Sequence, residues 1–386
     1  MLKILKLTPK KLYNRNMLKI VEITDKKEWD GFINNFGGHP LQLWGWGELK
    51  AKGNWQVRRI FIKNIAKEDH KKEKYSDVVA AAQILTRKLP WPLQGFAYVP
   101  RGIHTVSEKP EERAKLLEML VDYCKNSIKP RPVAISIEPD WEDFPEKLLN
   151  EKKRKRAKNT ILIPRTLILD LKKTEAELLA DMTKNNRQII RKSAEKCTVR
   201  ELETDEEFAQ VFEIYRETAE RAGFAIHSEK YYQELKKQLG ENSPVYGAFV
   251  RVQPESEEQS EESEIPQNPE KIIEKLHEQE QLVAFSWIAK SGKTAFELYG
   301  GSNDLGRETR ANYILKWLVI QQLRNAGVER YDMNGLLNDG ISKFKSKFAR
   351  HENMLAGTFD RPLRKSYWIW NNFLPTAKKI IRKFKK

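Results

Sequence analysis

A chain of 386 residues with 40% apolar side chains is long enough for two domains, each with a buried core. Its 70 basic residues against 54 acidic ones leave a formal charge of +16, which favours polyanionic partners: RNA, nucleotide phosphates or an anionic membrane surface. Cys124 and Cys197 stand in unrelated contexts and suggest neither a disulfide framework nor a metal site, and no apolar run is long enough to cross a bilayer, so a cytoplasmic protein is expected.

The charge is unevenly spread. Cations gather at Lys152–Lys158, along Lys184–Arg200 and through residues 361–386, which carry no acid, whereas acids gather in the stretch 255–280. Residues 1–20 read as a basic leader without a cleavage site, with Met17 as an alternative start.

In chain order, Ile20–Ile23 reads as a strand, and Asp25-Lys-Lys-Glu28 opens a helix with an N-cap and an acidic first turn. Trp44 and Trp46 follow Pro40 and read first as core or cleft-wall aromatics. Trp55–Lys63 and Val78–Lys88 are expected strands joined by a polar loop. Phe96–Gly102 is a strand ending in a turn, Glu111–Asn126 an amphipathic helix, and Val133–Ile137 a buried strand. Lys152–Thr160 is a charged connector to a strand over Thr166–Leu171. Thr174-Glu-Ala-Glu177 is a capping box, and the helix after it is expected to bury Leu178, Leu179, Met182, Ile189 and Ile190. Its other face presents Lys184, Arg187 and Arg191 as one cationic stripe.

Glu206–Ala222 is a further helix stopped by Gly223, and another begins at His227-Ser-Glu-Lys-Tyr231-Tyr232. Val245–Val250 and Leu282–Ile288 read as neighbouring strands separated by the solvated acidic insert 253–280. The stretch Phe296–Phe348 combines a hairpin strand, a break at Tyr299-Gly-Gly-Ser302, a helix over Tyr313–Ala326 and a returning strand over Glu329–Met333. Lys345 then falls near the expected cleft. The tail from Tyr367 pairs aromatics with a basic end, the pattern of a membrane-interface contact or of a packed C-terminal helix.

The fold class is therefore α/β (α+β). Each half is expected to run strand-helix-strand-strand-strand-helix-strand, the order of a GNAT-type acyltransferase domain, with a mixed, mostly antiparallel sheet flanked by helices. No Ser-His-Asp order, Cys-His pair or metal-ligand cluster stands out, so no cofactor or metal is expected.

An ordered series of motifs carries a resemblance. It comprises Gln42–Lys50 (QLWGWGELK), Tyr98–Gly102 (YVPRG), Leu169–Leu171, Asn185–Ala194 (NNRQIIRKSA), Thr218–Phe224 (TAERAGF), Tyr299–Ser302, Tyr331–Gly335 (YDMNG) and Gly340–Phe348. From about Ile20 to about Asp360 the chain resembles the FemABX family of non-ribosomal peptidyltransferases. It lacks a long coiled-coil arm and so is similar to the FemX-type subset. The resemblance implies tandem GNAT-like domains: a first over 17–163, completed by 352–386, and a second over 164–351 carrying the insert 253–280. It also implies transfer of an amino acid from aminoacyl-tRNA to the stem-peptide amine of a peptidoglycan precursor, either UDP-N-acetylmuramoyl-pentapeptide (UDP-MurNAc-pentapeptide) or its lipid-linked form. Peripheral contact with the inner membrane face would accompany the latter.

By the same resemblance Lys50, beside Trp46, is a cation for the precursor's phosphates, with a surface lysine and Lys52 as the rival assignments. Tyr231 and Tyr299 would hydrogen-bond the precursor, unless they are core tyrosines. His227 stands where some members place an arginine, which makes one phosphate contact pH-dependent. Lys345, with Phe344, would stabilise charge developing at the ester carbonyl or the leaving ribose oxygen. Lys184, Arg187 and Arg191 would receive the tRNA acceptor stem. Asp332 and Glu297 are the carboxylates near enough to strand ends to be considered as a base. The competing functions are an acyl-CoA N-acyltransferase, a ligase for another amine, and a non-catalytic RNA- or membrane-binding module. Against the first, residues 302–312 hold one glycine and do not form a pyrophosphate loop.

Overall fold

The computed structural model describes residues 17–67, 74–142, 155–157, 160–251, 280–337 and 340–373. Residues 1–16 of the expected leader, nearly all of the acidic insert and the end of the tail lie outside the described residues, whereas Leu18–Ile20 belong to the first strand. The first half runs β1 (Leu18–Glu22), α1 (Lys26–Asn35), α2 (Trp44–Ala51), β2 (Gln56–Asn64), β3 (Val78–Lys88), β4 (Gly95–Pro100), β5 (His104–Thr105), α3 (Pro110–Ser127) and β6 (Ala134–Glu138). After β7 (Lys155–Arg156) come β8 (Arg165–Thr166), β9 (Ile168–Asp170), α4 (Glu175–Asp181), α5 (Lys184–Ala194) and β10 (Cys197–Glu201). Then follow α6 (Asp205–Ala222), α7 (Glu229–Leu239), β11 (Val245–Arg251), β12 (Glu280–Ser291), β13 (Thr294–Ser302), α8 (Asp304–Glu308) and α9 (Ala311–Asn325). The chain ends with β14 (Arg330–Asp332), α10 (Gly340–Lys345), β15 (Asn353–Met354) and β16 (Phe359–Pro362).

One sheet has the order β1-β2-β3-β4-β6-β16-β7, with β5 on β3, and the other has β10-β11-β12-β13-β14-β9. Both are mostly antiparallel, each with one parallel pair at its centre: β4 with β6, and β13 with β14. The C-terminal segment returns to the first sheet, where Phe359–Pro362 pair with β6. The Glu138 carboxylate at the end of β6 accepts the N–H groups of Ile161 and Leu162, both at 2.9 Å, and so anchors the connector between the halves.

Three large cores hold the described residues together, with two smaller clusters beside them. One lies between the first sheet and α3, and one between the second sheet and α4, α5 and α9. The third is shared: Trp29, Phe32 and Trp46 of the first half pack with Leu235, Phe285 and Trp287 of the second. The halves are thus fused by an apolar layer, which supplies the largest stabilising term between them.

The first half follows the expected element order with two additions, the helix α2 over Trp44–Ala51 and the short strand β5. The second half does not, because β10 pairs with β11 at the sheet edge and α6–α7 form an extra helical pair before β11. The helix expected from Thr174 onward is two helices: Met182 is extended and buried, and Thr183 caps a new N-terminus by accepting from Asn186 N–H at 3.2 Å. The strand expected over Thr166–Leu171 is also two, with β8 pairing β15 and β9 pairing β14.

The glycine pair at 300–301 does not break its strand. β13 runs on to Ser302, and a Cβ on Gly301 would meet Thr218 Oγ1 at 2.7 Å and Phe285 at 3.0 Å. Close approach of α6 to the strand, rather than a turn, is what requires glycine at 301. In the tail Trp370 stacks on Phe96 at 4.4 Å, while Trp368 stays exposed.

Candidate active site between the two halves

Helix α2 brings the first half to the site. Its Trp-Gly-Trp-Gly start has a steric logic that the tryptophans alone do not reveal. A Cβ on Gly45 would stand 2.1 Å from the Gln238 carbonyl oxygen at the end of α7, and one on Gly47 would stand 2.5 Å from Arg59 Nη2. The two glycines let α2 press against α7 on one side and against β2 on the other. Arg59 fixes the second contact. Its guanidinium stacks 3.5 Å from the Trp44 ring centroid and bonds Glu48, Gln83 and the Trp44 carbonyl.

The last turn of α2 thereby delivers Lys50 to α7. Lys50 Nζ donates to Tyr231 Oη at 2.7 Å and lies 4.3 Å from the Trp46 ring centroid. His227 stacks on Tyr231 at 4.0 Å, and the Tyr231 and Tyr299 hydroxyls are hydrogen-bonded to each other. Lys50, Trp46, His227, Tyr231 and Tyr299, named from scattered motifs, thus form one continuous cluster across the two halves. Lys52 points elsewhere, 3.7 Å from Glu234. Burial pushes the Lys50 ammonium down to about 8. Burial, and then the Lys50 charge, lower His227 below its ordinary value, so its ring is neutral at neutral pH.

Tyr299 reaches this cluster because β13 bulges. Glu297 pairs with Ile288 and Tyr299 with Trp287, leaving Leu298 as an extra residue. Strict alternation would place Tyr299 on the face occupied by Glu297. The bulge moves it to the opposite face, among Tyr215, Tyr231 and Tyr232. Beside this fan a cavity of about 500 Å³ opens between α6 and α7, walled by Phe208, Phe212, Tyr215, Tyr232, Phe285 and Trp287.

On the α9 face of β13 sits a second buried group. Lys316 Nζ lies 2.5 Å from Glu297 Oε2, 3.0 Å from Tyr331 Oη and 3.1 Å from Ser286 Oγ, and Tyr331 donates to the same carboxylate at 2.8 Å. Lys345, itself buried, acts electrostatically on both Glu297 and Lys316. Burial raises the Glu297 carboxyl, but the Lys316 and Lys345 charges and two hydrogen bonds outweigh it, so Glu297 is ionised. That disqualifies it as a strong base and makes it a counter-ion. Lys316 was not singled out in the sequence, although a lysine inside the apolar run Tyr313–Ile320 is itself a signal.

The parallel pairing of β13 with β14 ends at Phe296–Asp332, and beyond it the strands part. Asn334 Nδ2 spans the gap to the Glu297 carbonyl at 3.0 Å. Lys345 lies on the Glu297 side of β13, opposite the Lys50 cluster. Phe344 is not at the gap: it packs edge-on against Tyr313 at 5.0 Å and Phe348 at 5.3 Å, where its aromatic area fills the second core.

The cationic stripe on α5 is split. Lys184 and Arg191 are exposed, but Arg187 donates to the carbonyls of Leu179 and Met182 at 3.0 and 2.6 Å. The Leu179 carbonyl also accepts the Met182 N–H at 3.2 Å, whereas the helix break leaves the Met182 carbonyl to Arg187. Asp332 lies at the junction of the halves, where one ligand atom each of His39, Asp140 and Asp332 falls within 4.8 Å of the others. The donor set does not fit a metal. His39 Nδ1 accepts from Leu41 N–H, which puts the ring proton on Nε2, and Arg330 bonds Asp140 at 3.0 Å.

Comparison with known proteins agrees with this architecture. The profile of the FemAB family matches residues 153–281 and 250–374. The chain is 23% identical over 394 residues to the lipid II:glycine glycyltransferase of Staphylococcus aureus (strain MRSA252), covering 86% of this chain and 90% of that one. Its identity to the lipid II:glycine glycyltransferase of Staphylococcus saprophyticus is 24% over 429 residues, covering 95% and 99%. The crystal structure of FemX superposes with a TM-score of 0.70 at 20% identity, over 89% of this chain and 96% of that one. With more than half of its residues matched by the family profile and the fold of FemX, the chain belongs to the FemAB family.

Proposed function

We propose that the protein is an aminoacyltransferase that moves an amino acid from aminoacyl-tRNA to the stem-peptide amine of a peptidoglycan precursor, in its lipid-linked form. The carrying observation is the polar cluster where the two halves meet. A partly desolvated cation, Lys50, sits there among hydrogen-bonding tyrosines on one side of β13, with a second buried cation, Lys345, on the other. The names of the staphylococcal relatives supply the substrate class.

An aminoacyl ester is already activated, so aminolysis needs mainly position and charge stabilisation. The amine nitrogen attacks the ester carbon, the C–N bond forms and the ester C–O bond breaks. The amine proton ends on the departing ribose oxygen. In this reading the Lys50 cluster holds the precursor's phosphates and Lys345 stabilises the oxyanion or the leaving oxygen, with Glu297 and Lys316 fixing it. Lys184 and Arg191 meet the tRNA backbone. An acyl-CoA donor is disfavoured by segment 303–313: the N–H groups of Arg307, Thr309, Arg310 and Tyr313 are taken by local carbonyls.

The test is transfer from labelled aminoacyl-tRNAs to a lysine-containing muramoyl-pentapeptide precursor. Label appearing on the precursor, and failing to appear when the aminoacyl-tRNA is treated with RNase beforehand, is the expected result. Acetylation of the precursor from acetyl-CoA, with no transfer from aminoacyl-tRNA, would overturn the reading.

A further inference from the structure

One end of the first sheet is built from three segments: residues 88–94 between β3 and β4, residues 128–133 before β6, and residues 361–372 after β16 begins. Backbone and side-chain bonds draw them together. Val133 N–H donates to the Gly95 carbonyl at 2.7 Å, Leu363 N–H to the Val133 carbonyl at 2.9 Å, and Arg364 Nη1 to Gln94 Oε1 at 2.6 Å. Leu93, Val133, Ala134 and Tyr367 make a small common core beneath them.

Two tryptophans flank that core and face water: Trp91 is 86% exposed and Trp368 66%. Indole is amphipathic, and large aromatic rings left outside mark an interaction surface. The three segments carry Lys88, Lys129, Arg131 and Lys365 with two further arginines, and no acidic residue. Through Phe96, on which Trp370 stacks, and Trp55, 6.3 Å from Phe96, this end continues into the loop after α2 that follows Lys50.

We propose that this acid-free, tryptophan-bearing end of the first sheet docks on an anionic lipid surface. Exposed indoles in a uniformly cationic setting fit the headgroup layer, where a ring takes the interface and lysines meet phosphate. The apolar Leu89 and Ile369 beside the indoles favour lipid over a nucleic-acid backbone. The surface is distinct from the transfer chemistry, and its test requires no turnover.

The experiment is co-sedimentation of the full chain with vesicles of phosphatidylcholine, alone or mixed with phosphatidylglycerol. Binding to the mixed vesicles only, weakened by salt, is expected. Lys88→Gln/Lys365→Gln should lower it roughly 30-fold, two charges being removed from the surface. Trp91→Ser/Trp368→Ser should lower it at least about tenfold. Both double variants should keep the wild-type circular dichroism spectrum, since all four side chains are exposed. Equal binding by wild type and variants, no preference for phosphatidylglycerol, or loss of tRNA binding in place of vesicle binding would each overturn the proposal.

Discussion

At the scale of single residues, burial lowers two lysines beside β13, and their partners set them apart: Lys50 has no carboxylate against it, whereas Lys316 has Glu297. Lys50 has its ammonium pushed down to about 8, so its charge is lost as pH rises through that value. The KM for an anionic precursor should therefore climb above about pH 8, and Lys50→Arg should remove that limb because guanidinium stays charged; a KM–pH profile of both proteins checks this. Lys316 is the partner that keeps Glu297 ionised inside the fold. Lys316→Met should cost about 3–5 kcal/mol in denaturant unfolding by leaving a buried carboxylate alone, and adding Glu297→Gln should restore most of it. A single variant as stable as wild type would refute the pairing. Motif order singled out Lys50 and Lys345, but it passed over Lys316 and gave Arg187 an outward face where the structure turns it to the Met182 carbonyl. Their roles depend on which backbone carbonyl or carboxylate faces them, and residue spacing does not carry that.

At the scale of elements, most strands and helices of the first half were readable because their apolar periods are clean and their caps are local, as Asp25 before α1 shows. The failures share a cause. The break at Met182, the bulge at Leu298 and the unbroken strand at 300–301 are all settled by partners outside the local pattern: Arg187 over the Met182 carbonyl, Trp287 opposite Tyr299, Thr218 against Gly301. Gly45 is the sharpest case, since the Gln238 carbonyl occupies the place of its Cβ. Gly45→Ala should destabilise the fold by about 1–3 kcal/mol and weaken precursor binding more than a surface variant of equal stability, because it pries α2 and Lys50 from α7. Calorimetric titration of the precursor into both variants measures the difference.

At the scale of the whole molecule, the shared core makes the two sheets one cooperative body rather than independent beads. Unfolding followed by tryptophan fluorescence and by circular dichroism should trace one coincident transition, and two separated transitions would contradict this. That fusion is what lets a cation on the first half complete a tyrosine cluster on the second. Among the described residues no helix is long and apolar enough to cross a membrane.

On the proposed function, precursor binding and transfer chemistry fall to different cations on opposite faces of β13. Measuring precursor affinity and single-turnover transfer in Lys50→Met and Lys345→Met tests it most directly. Lys50→Met should lose affinity, whereas Lys345→Met should bind the precursor as wild type does and transfer about a hundred- to a thousandfold more slowly. Wild-type transfer rates in Lys345→Met, or equal loss of affinity in both variants, would contradict it.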